Sequence, residues 1–213
     1  YLRQVIDSFP KSFYAQRAKL LIADAYFRKG DESNMILAAA EYREFIRTYP
    51  YSPSAAYSQY QIGMTFYKKM LKPGRDPAKT IQALAEFKKV VADYPASDQS
   101  KPAQERIKEC EQRLAAHNAE IAISYHDRKA YRASISRLNE IMATYPDYAG
   151  LDAIYYYLGD CYFWMKKYDQ AFPFFTKVVT DYPSKKLAKA ATKKLAEIEK
   201  LKAAAAAPKP KKS

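Results

Sequence analysis

Glycine is scarce in this 213-residue chain, with five residues, and cysteine and histidine are scarcer, with two each. Each shortage excludes something. Two cysteines, Cys110 and Cys161, build no disulfide framework and match no metal-ligand spacing. The two histidines, His117 and His126, stand nine residues apart, which places them on different faces of a helix. No Gly-rich GxxxxGK[ST] loop occurs, and no nucleophile is paired with a base. The residue set therefore argues against an enzyme and implies no cofactor and no metal. No run of about 18 apolar residues exists, so no segment reads as a membrane-spanning helix.

What is present is an all-α composition. Apolar residues make up 48% of the chain, enough to bury a core. No stretch alternates like a strand, and Ala, Leu, Lys and Glu dominate between prolines. The formal net charge is +13. Ten Lys and two Glu fall in 184–213, so the basic character is mostly a C-terminal matter. Basic residues gathered at one end, rather than lining a face, argue against nucleic acid as a partner. The end of the chain, 203–213, is expected to be a disordered Ala/Pro/Lys tail. The first residue is Tyr1, partway into an amphipathic segment, which suggests a processed or truncated product with a signal peptide or anchor upstream.

An aromatic–proline pair recurs at Phe9-Pro10, Tyr49-Pro50, Tyr94-Pro95, Tyr145-Pro146 and Tyr182-Pro183. Each pair ends an amphipathic segment, as proline does by lacking an N–H and by disfavouring helical geometry in the residue before it. A second signature lies upstream: IADAYF (22–27), IGMTFY (62–67), IAISYH (121–126) and LGDCYF (158–163). The small residue in each lets a neighbouring helix approach, and the aromatic one turn later fills the gap beside it. Each unit is thus a pair of helices, A then B. The last full unit matches the tetratricopeptide pattern at Tyr155, Leu158, Gly159, Tyr162, Ala171, Phe175 and Pro183. Helices are expected at about 1–9, 12–29, 34–49, 53–71, 77–94, 99–128, 131–145, 149–166, 169–182 and 184–202. The expected architecture is a single right-handed superhelical array of tetratricopeptide (TPR) helix pairs over 1–202, with N-terminal repeats in 1–95 and C-terminal repeats in 96–202. Two free, largely buried thiols are expected.

Irregular features narrow the choice among such arrays. They are RDP (Arg75, Asp76, Pro77) before the third helix B, RLA (Arg113, Leu114, Ala115) in an over-long fourth helix A, and FIRxYP (Phe45, Ile46, Arg47, Tyr49, Pro50) closing the second unit. In their order and spacing these resemble the BamD family, the tetratricopeptide lipoproteins of the outer-membrane β-barrel assembly machinery. The resemblance covers about residues 1–147; beyond that only the generic repeat matches. It implies a non-enzymatic scaffold at the periplasmic face of the bacterial outer membrane, held there by an N-terminal lipid anchor outside this chain. It implies as partners the periplasmic domains of the barrel subunit BamA, other lipoproteins of the machinery, and the C-terminal targeting strand of unfolded outer-membrane proteins. The alternative is another cell-envelope TPR adaptor, associated with cell division or the Tol-Pal system.

On helix A of such repeats, the positions three before the small residue and one, four and five after it tend to face the groove. These are Leu20, Asp24, Phe27 and Arg28 in the second unit, and Tyr60, Met64, Tyr67 and Lys68 in the third. In the last they are Tyr156, Asp160, Phe163 and Trp164. Arg28 and Lys68 suit a peptide carboxylate, and Phe27, Tyr60 and Tyr67 its side chains. The competing expectation is that these aromatics simply pack against the next helix A.

Overall fold

The computed structural model describes residues 1–10 and 12–206. Among them lie ten helices: α1 (Leu2–Ser8), α2 (Phe13–Lys29), α3 (Glu32–Thr48), α4 (Ala55–Tyr67), α5 (Ala78–Asp93), α6 (Ser100–Asp127), α7 (Tyr131–Thr144), α8 (Leu151–Trp164), α9 (Tyr168–Asp181) and α10 (Lys186–Ala206). The fold is all-helical, as the periodicity predicts, with A/B pairs α2–α3, α4–α5, α6–α7 and α8–α9. No described helix is long and apolar enough to cross a membrane.

The aromatic–proline pairs build five copies of one turn. Phe9, Tyr49, Tyr94, Tyr145 and Tyr182 all adopt φ between −138° and −129° with ψ between 47° and 66°. The proline that follows pushes each of them out of the helical region. Each then accepts at its C=O a backbone N–H from three residues on: Ser12, Ser52, Ser97, Tyr148 and Lys185, at 3.0–3.1 Å. Three of the four A-to-B turns, all but the long α4–α5 connection, pass through a left-handed residue instead. Gly30 takes φ 77° without steric cost, while Lys129 (62°) and Lys166 (60°) take it with a side chain. In the latter two, Ala130 N–H reaches Tyr125 C=O and Lys167 N–H reaches Tyr162 C=O, both at 2.9 Å, closing Schellman-type helix ends.

Side-chain caps start α2 and α3, where Ser12 and Asp31 accept the Ala15 and Asn34 N–H groups at 3.1 and 2.9 Å. Asp76 of the RDP stretch does the same for Ala78 at the head of α5, at 2.9 Å. Arg113 of the RLA stretch donates to the Leu71 carbonyl, tethering the loop before α5. That loop corrects one expectation, since α4 ends at Tyr67 rather than near 71. Past Tyr67 the backbone tightens, with the Lys69 and Met70 N–H groups reaching the Phe66 and Tyr67 carbonyls three residues back, at 2.9 and 3.2 Å. At the other end α10 runs to Ala206, four residues beyond the expected end, through an alanine run of high helix propensity. Of the expected tail 203–213, residues 207–213 lie outside the described residues.

The chain divides into two compact units, Tyr1–Leu114 and Ala115–Ser213, with the boundary inside α6. In the first, Ala23, Ala38, Tyr42 and Ile62 form one core, and Ala83, Phe87, Val90, Ala103 and Cys110 another. In the second, Ala115, Ala119 and Ala122 pack with Leu138, Ile141, Ile154 and Leu158, and Phe163 with Phe175, Val178, Ala191 and Ile198. The helix B positions of the repeat, Ala38, Ala83, Ser134 and Ala171 and then Tyr42, Phe87, Leu138 and Phe175, are all fully buried. Each large one contributes roughly 2–3 kcal/mol of apolar burial. Ser134, polar at a core position, is satisfied by donating to the Ala122 carbonyl at 2.8 Å. Both cysteines are free and buried. Burial pushes the Cys110 thiol up to about 12 and the Cys161 thiol to about 11.

Candidate protein-docking surfaces

Helix periodicity places Leu20, Asp24, Phe27 and Arg28 on one face of α2, and Tyr60, Met64 and Tyr67 on one face of α4, continued by its C-cap Lys68. The first unit brings these faces together through Lys68, whose Nζ lies 4.2 Å from the centroid of the Phe27 ring. The ring edge of Phe27 also meets Tyr42 at 6.5 Å, and Leu20 and Phe27 pack partly buried against the Ala23–Tyr42 core. Arg28 and Lys68 are exposed. Neither makes an ion pair with another described residue.

Asp24 is differently placed. Its Oδ1 accepts hydrogen bonds from Tyr42 (2.6 Å) and Tyr57 (3.0 Å), tying α2 to α3 and α4. Burial pushes both phenols upward, and the Asp24 charge adds to it, so both remain donors at neutral pH. Asp24 is therefore engaged by its own fold rather than open to a ligand.

Tyr60 and Tyr67 lean on the buried Phe87 ring, with centroids 5.4 and 6.1 Å away, and Met64 packs partly buried beside them. The Tyr67 hydroxyl donates to Glu109 and accepts from Arg106 at 3.0 Å; Arg106 in turn pairs with Glu109 at 2.7 Å. The Arg106 guanidinium lies 5.0 Å from the Tyr67 ring centroid.

In the second unit Tyr156, Asp160, Phe163 and Trp164 share a face of α8. Asp160 and Phe163 are buried. Lys194 of α10 is the reason: its Nζ sits 3.8 Å from the Phe163 ring centroid, 5.1 Å from that of Trp164, and 3.3 Å from Asp160 Oδ1 as an ion pair. Asp160 Oδ2 accepts from His126 Nε2 (2.8 Å) and Trp164 Nε1 (3.1 Å). Tyr156 packs edge-on to Phe175 at 5.6 Å. Only Trp164 of the four stays open, at 55% exposure. The expectation that Asp160 and Phe163 face a groove is thus corrected, because the last helix covers them.

One relation repeats. The aromatic four residues after the small residue carries a cation over its ring: Lys68 on Phe27, Arg106 on Tyr67, Lys194 on Phe163. In the fourth repeat that position is His126, and the partner's charge is inverted to Asp160. The sequence reading missed Arg106 and Lys194, although a signal existed. Each stands eleven residues after its aromatic–proline pair, counted from Pro95 and Pro183. The same count places the fully buried Ala103 and Ala191 at eight and Cys110 and Ile198 at fifteen. The first half of α6 and the Ala191–Ile198 stretch of α10 therefore pack in one register over the units they close.

Among the described residues no group of three or more His, Cys, Asp or Glu is arranged to hold a metal. The exposed, unpaired cations and half-buried aromatics instead suit contact with another polypeptide.

Comparison with known proteins places these features in a family. A model described as YfiO, outer membrane lipoprotein, matches residues 1–158, and a tetratricopeptide repeat model matches 153–185. The chain is similar to the outer membrane protein assembly factor BamD of Vibrio cholerae, 29% identical over 155 residues, covering 68% of this chain and 63% of the relative. It is similar to the factor of the same name from Haemophilus influenzae (29%, covering 69% and 59%) and Neisseria meningitidis serogroup B (30%, covering 68% and 57%). The chain thus spans about six-tenths of the length of these curated relatives. With the family model covering well over half its length, the chain belongs to the YfiO/BamD family of outer membrane lipoproteins.

Proposed function

We propose that this protein is a non-enzymatic scaffold and recognition subunit of the outer-membrane β-barrel assembly machinery, working at the periplasmic face of the outer membrane behind an N-terminal lipid anchor. Family membership and the assembly-factor names of its relatives support the role. Its partners on this reading are the periplasmic domains of a BamA homologue, companion lipoproteins, and the C-terminal strand of unfolded outer-membrane proteins.

The observation that carries substrate recognition is the α2–α4 face, where exposed Arg28 and Lys68 stand beside the half-buried Phe27, Tyr60 and Tyr67. A terminal carboxylate pairs with the cations while a neighbouring aromatic side chain meets the rings. Leu20 and Met64 supply apolar flanks, and Asp24 holds the helices in register. On α8, exposed Trp164, seated by Asp160 and flanked by Tyr156 and Phe163, is the proposed docking point for a protein partner. Titrating the protein with a barrel-protein C-terminal peptide tests the first site. Arg28→Ala with Lys68→Ala should weaken binding several-fold, and amidating the peptide's carboxylate should do the same. Unchanged affinity in both discards the site. Pull-down with BamA periplasmic domains tests the assembly role.

A further inference from the structure

A different face of α4 borders a cavity of about 230 Å³ in the first unit. Its floor is apolar, made of Met35 and Ala39 from α3 and Thr65 and Phe66 from α4. Ile36, 63% exposed, stands at its mouth. The rim is charged, and unevenly so: Arg43, Lys69 and Lys79 against Glu32 alone. Arg43 and Lys79 both lie over the Phe66 ring, at 5.9 and 5.6 Å from its centroid. Arg43 also pairs with Glu86 at 3.1 Å, but Lys69 and Lys79 have no carboxylate partner among the described residues. Glu32, Ile36, Ala39 and Arg43 mark one stripe of α3, which at 1.5 Å per residue runs about 16 Å. That length accommodates about five residues of extended chain.

We propose that this cavity is a second peptide-docking site, separate from the α2–α4 face, and that it takes a short acidic segment that inserts one large apolar side chain. The volume admits one such side chain and is too small for a folded element. The excess of positive charge selects carboxylates on the flanking residues and rejects basic segments. Adjacent residues just past the end of α4 divide the two sites between them: Lys68 covers Phe27 on one side, and Lys69 borders the cavity on the other.

The test is a solution titration of the intact protein with a capped pentapeptide, Glu-Asp-Phe-Asp-Glu, followed by amide and methyl NMR shifts. Saturable shifts centred on Met35, Ile36, Ala39 and Thr65 are expected. Lys69→Glu with Lys79→Glu should weaken binding at least tenfold, and Ile36→Glu, an exposed substitution that spares the core, should do likewise. Arg28→Ala with Lys68→Ala should leave this affinity unchanged, which separates the site from the one proposed above. The Lys-Lys-Phe-Lys-Lys peptide should not bind. Absence of saturable shifts, shifts centred elsewhere, or equal binding by the charge-reversed variants overturns the proposal. So does concentration-dependent self-association that broadens the same residues and is lost in Ile36→Glu, which would make a second copy the occupant.

Discussion

His126 Nε2 and Asp160 Oδ2 lie 2.8 Å apart, joining the end of α6 to the middle of α8 beneath α10. The same carboxylate receives Trp164 and pairs with Lys194, so one buried anion fixes three helices of the second unit. Removing a buried charge that others are built around leaves their polar groups unpaired. Asp160→Ala is expected to destabilise the second unit by about 3 kcal/mol. Urea unfolding followed by fluorescence of Trp164, the chain's single tryptophan, measures it directly.

Glu86 ties α5 to its neighbours in the first unit. Its burial disfavours ionisation, but hydrogen bonds from Gln59 (2.7 Å), Lys89 (3.0 Å) and Arg43 (3.1 Å) outweigh this and hold the carboxyl below its ordinary value of 4.5. The folded state therefore keeps fewer protons than the unfolded one near that pH. The stabilisation is present above 4.5 and is lost as pH falls through the lower, folded value. Glu86→Gln is expected to cost about 2 kcal/mol at pH 7. A scan of unfolding midpoint between pH 6 and 3 should be flatter for the variant than for the parent.

The thiols give the opposite limb. Both are held protonated by burial, above the ordinary 9.0, at about 12 for Cys110 and about 11 for Cys161. The folded state binds more protons than the unfolded state in that interval. Stability from this source is intact below pH 9 and falls as pH rises towards 11–12. Cys110→Ala with Cys161→Ala should show a shallower alkaline loss than the parent. At neutral pH, iodoacetamide should modify neither cysteine of the native protein rapidly, and both after unfolding without reductant. Mass measurement counts the sites.

Gly63 and Gly159 occupy the small position of helix A. A Cβ on Gly63 would lie 2.6 Å from the fully buried Phe87 ring, and one on Gly159 would lie 3.0 Å from Phe175. Alanine normally gains about 1 kcal/mol over glycine inside a helix. At Gly63 the overpacking reverses the sign, and Gly63→Ala should lose about 2 kcal/mol. Gly63→Ala with Phe87→Leu should lose less than the sum of the two single changes.

Lys166 holds φ 60° at the α8–α9 turn, a left-handed position where its Cβ is crowded. Lys166→Gly removes that crowding and adds some unfolded-state freedom, so a net gain of about 0.5–1 kcal/mol is expected. The thermal midpoint should rise accordingly, where a glycine at a right-handed helix position would lower it.

The local signals are legible in the sequence. The aromatic–proline pairs, the small residues at Ala23, Gly63, Ala122 and Gly159, and the helix B positions Tyr42, Phe87, Leu138 and Phe175 dictate helix ends and burial through short-range sterics and 3.6-residue periodicity. So the ten helices, the repeat and the two buried thiols follow from the chain itself. What tertiary structure decided was which groove-register side chains remain open. Asp24 is taken by Tyr57, 33 residues on, and Asp160 by His126, 34 residues back. Phe163 is taken by Lys194 from the helix after the last pair. Spacing along one helix fixes the face on which a residue stands. It carries no information on what distant segment covers that face, because the covering cation or hydroxyl arrives only when the chain folds back on itself.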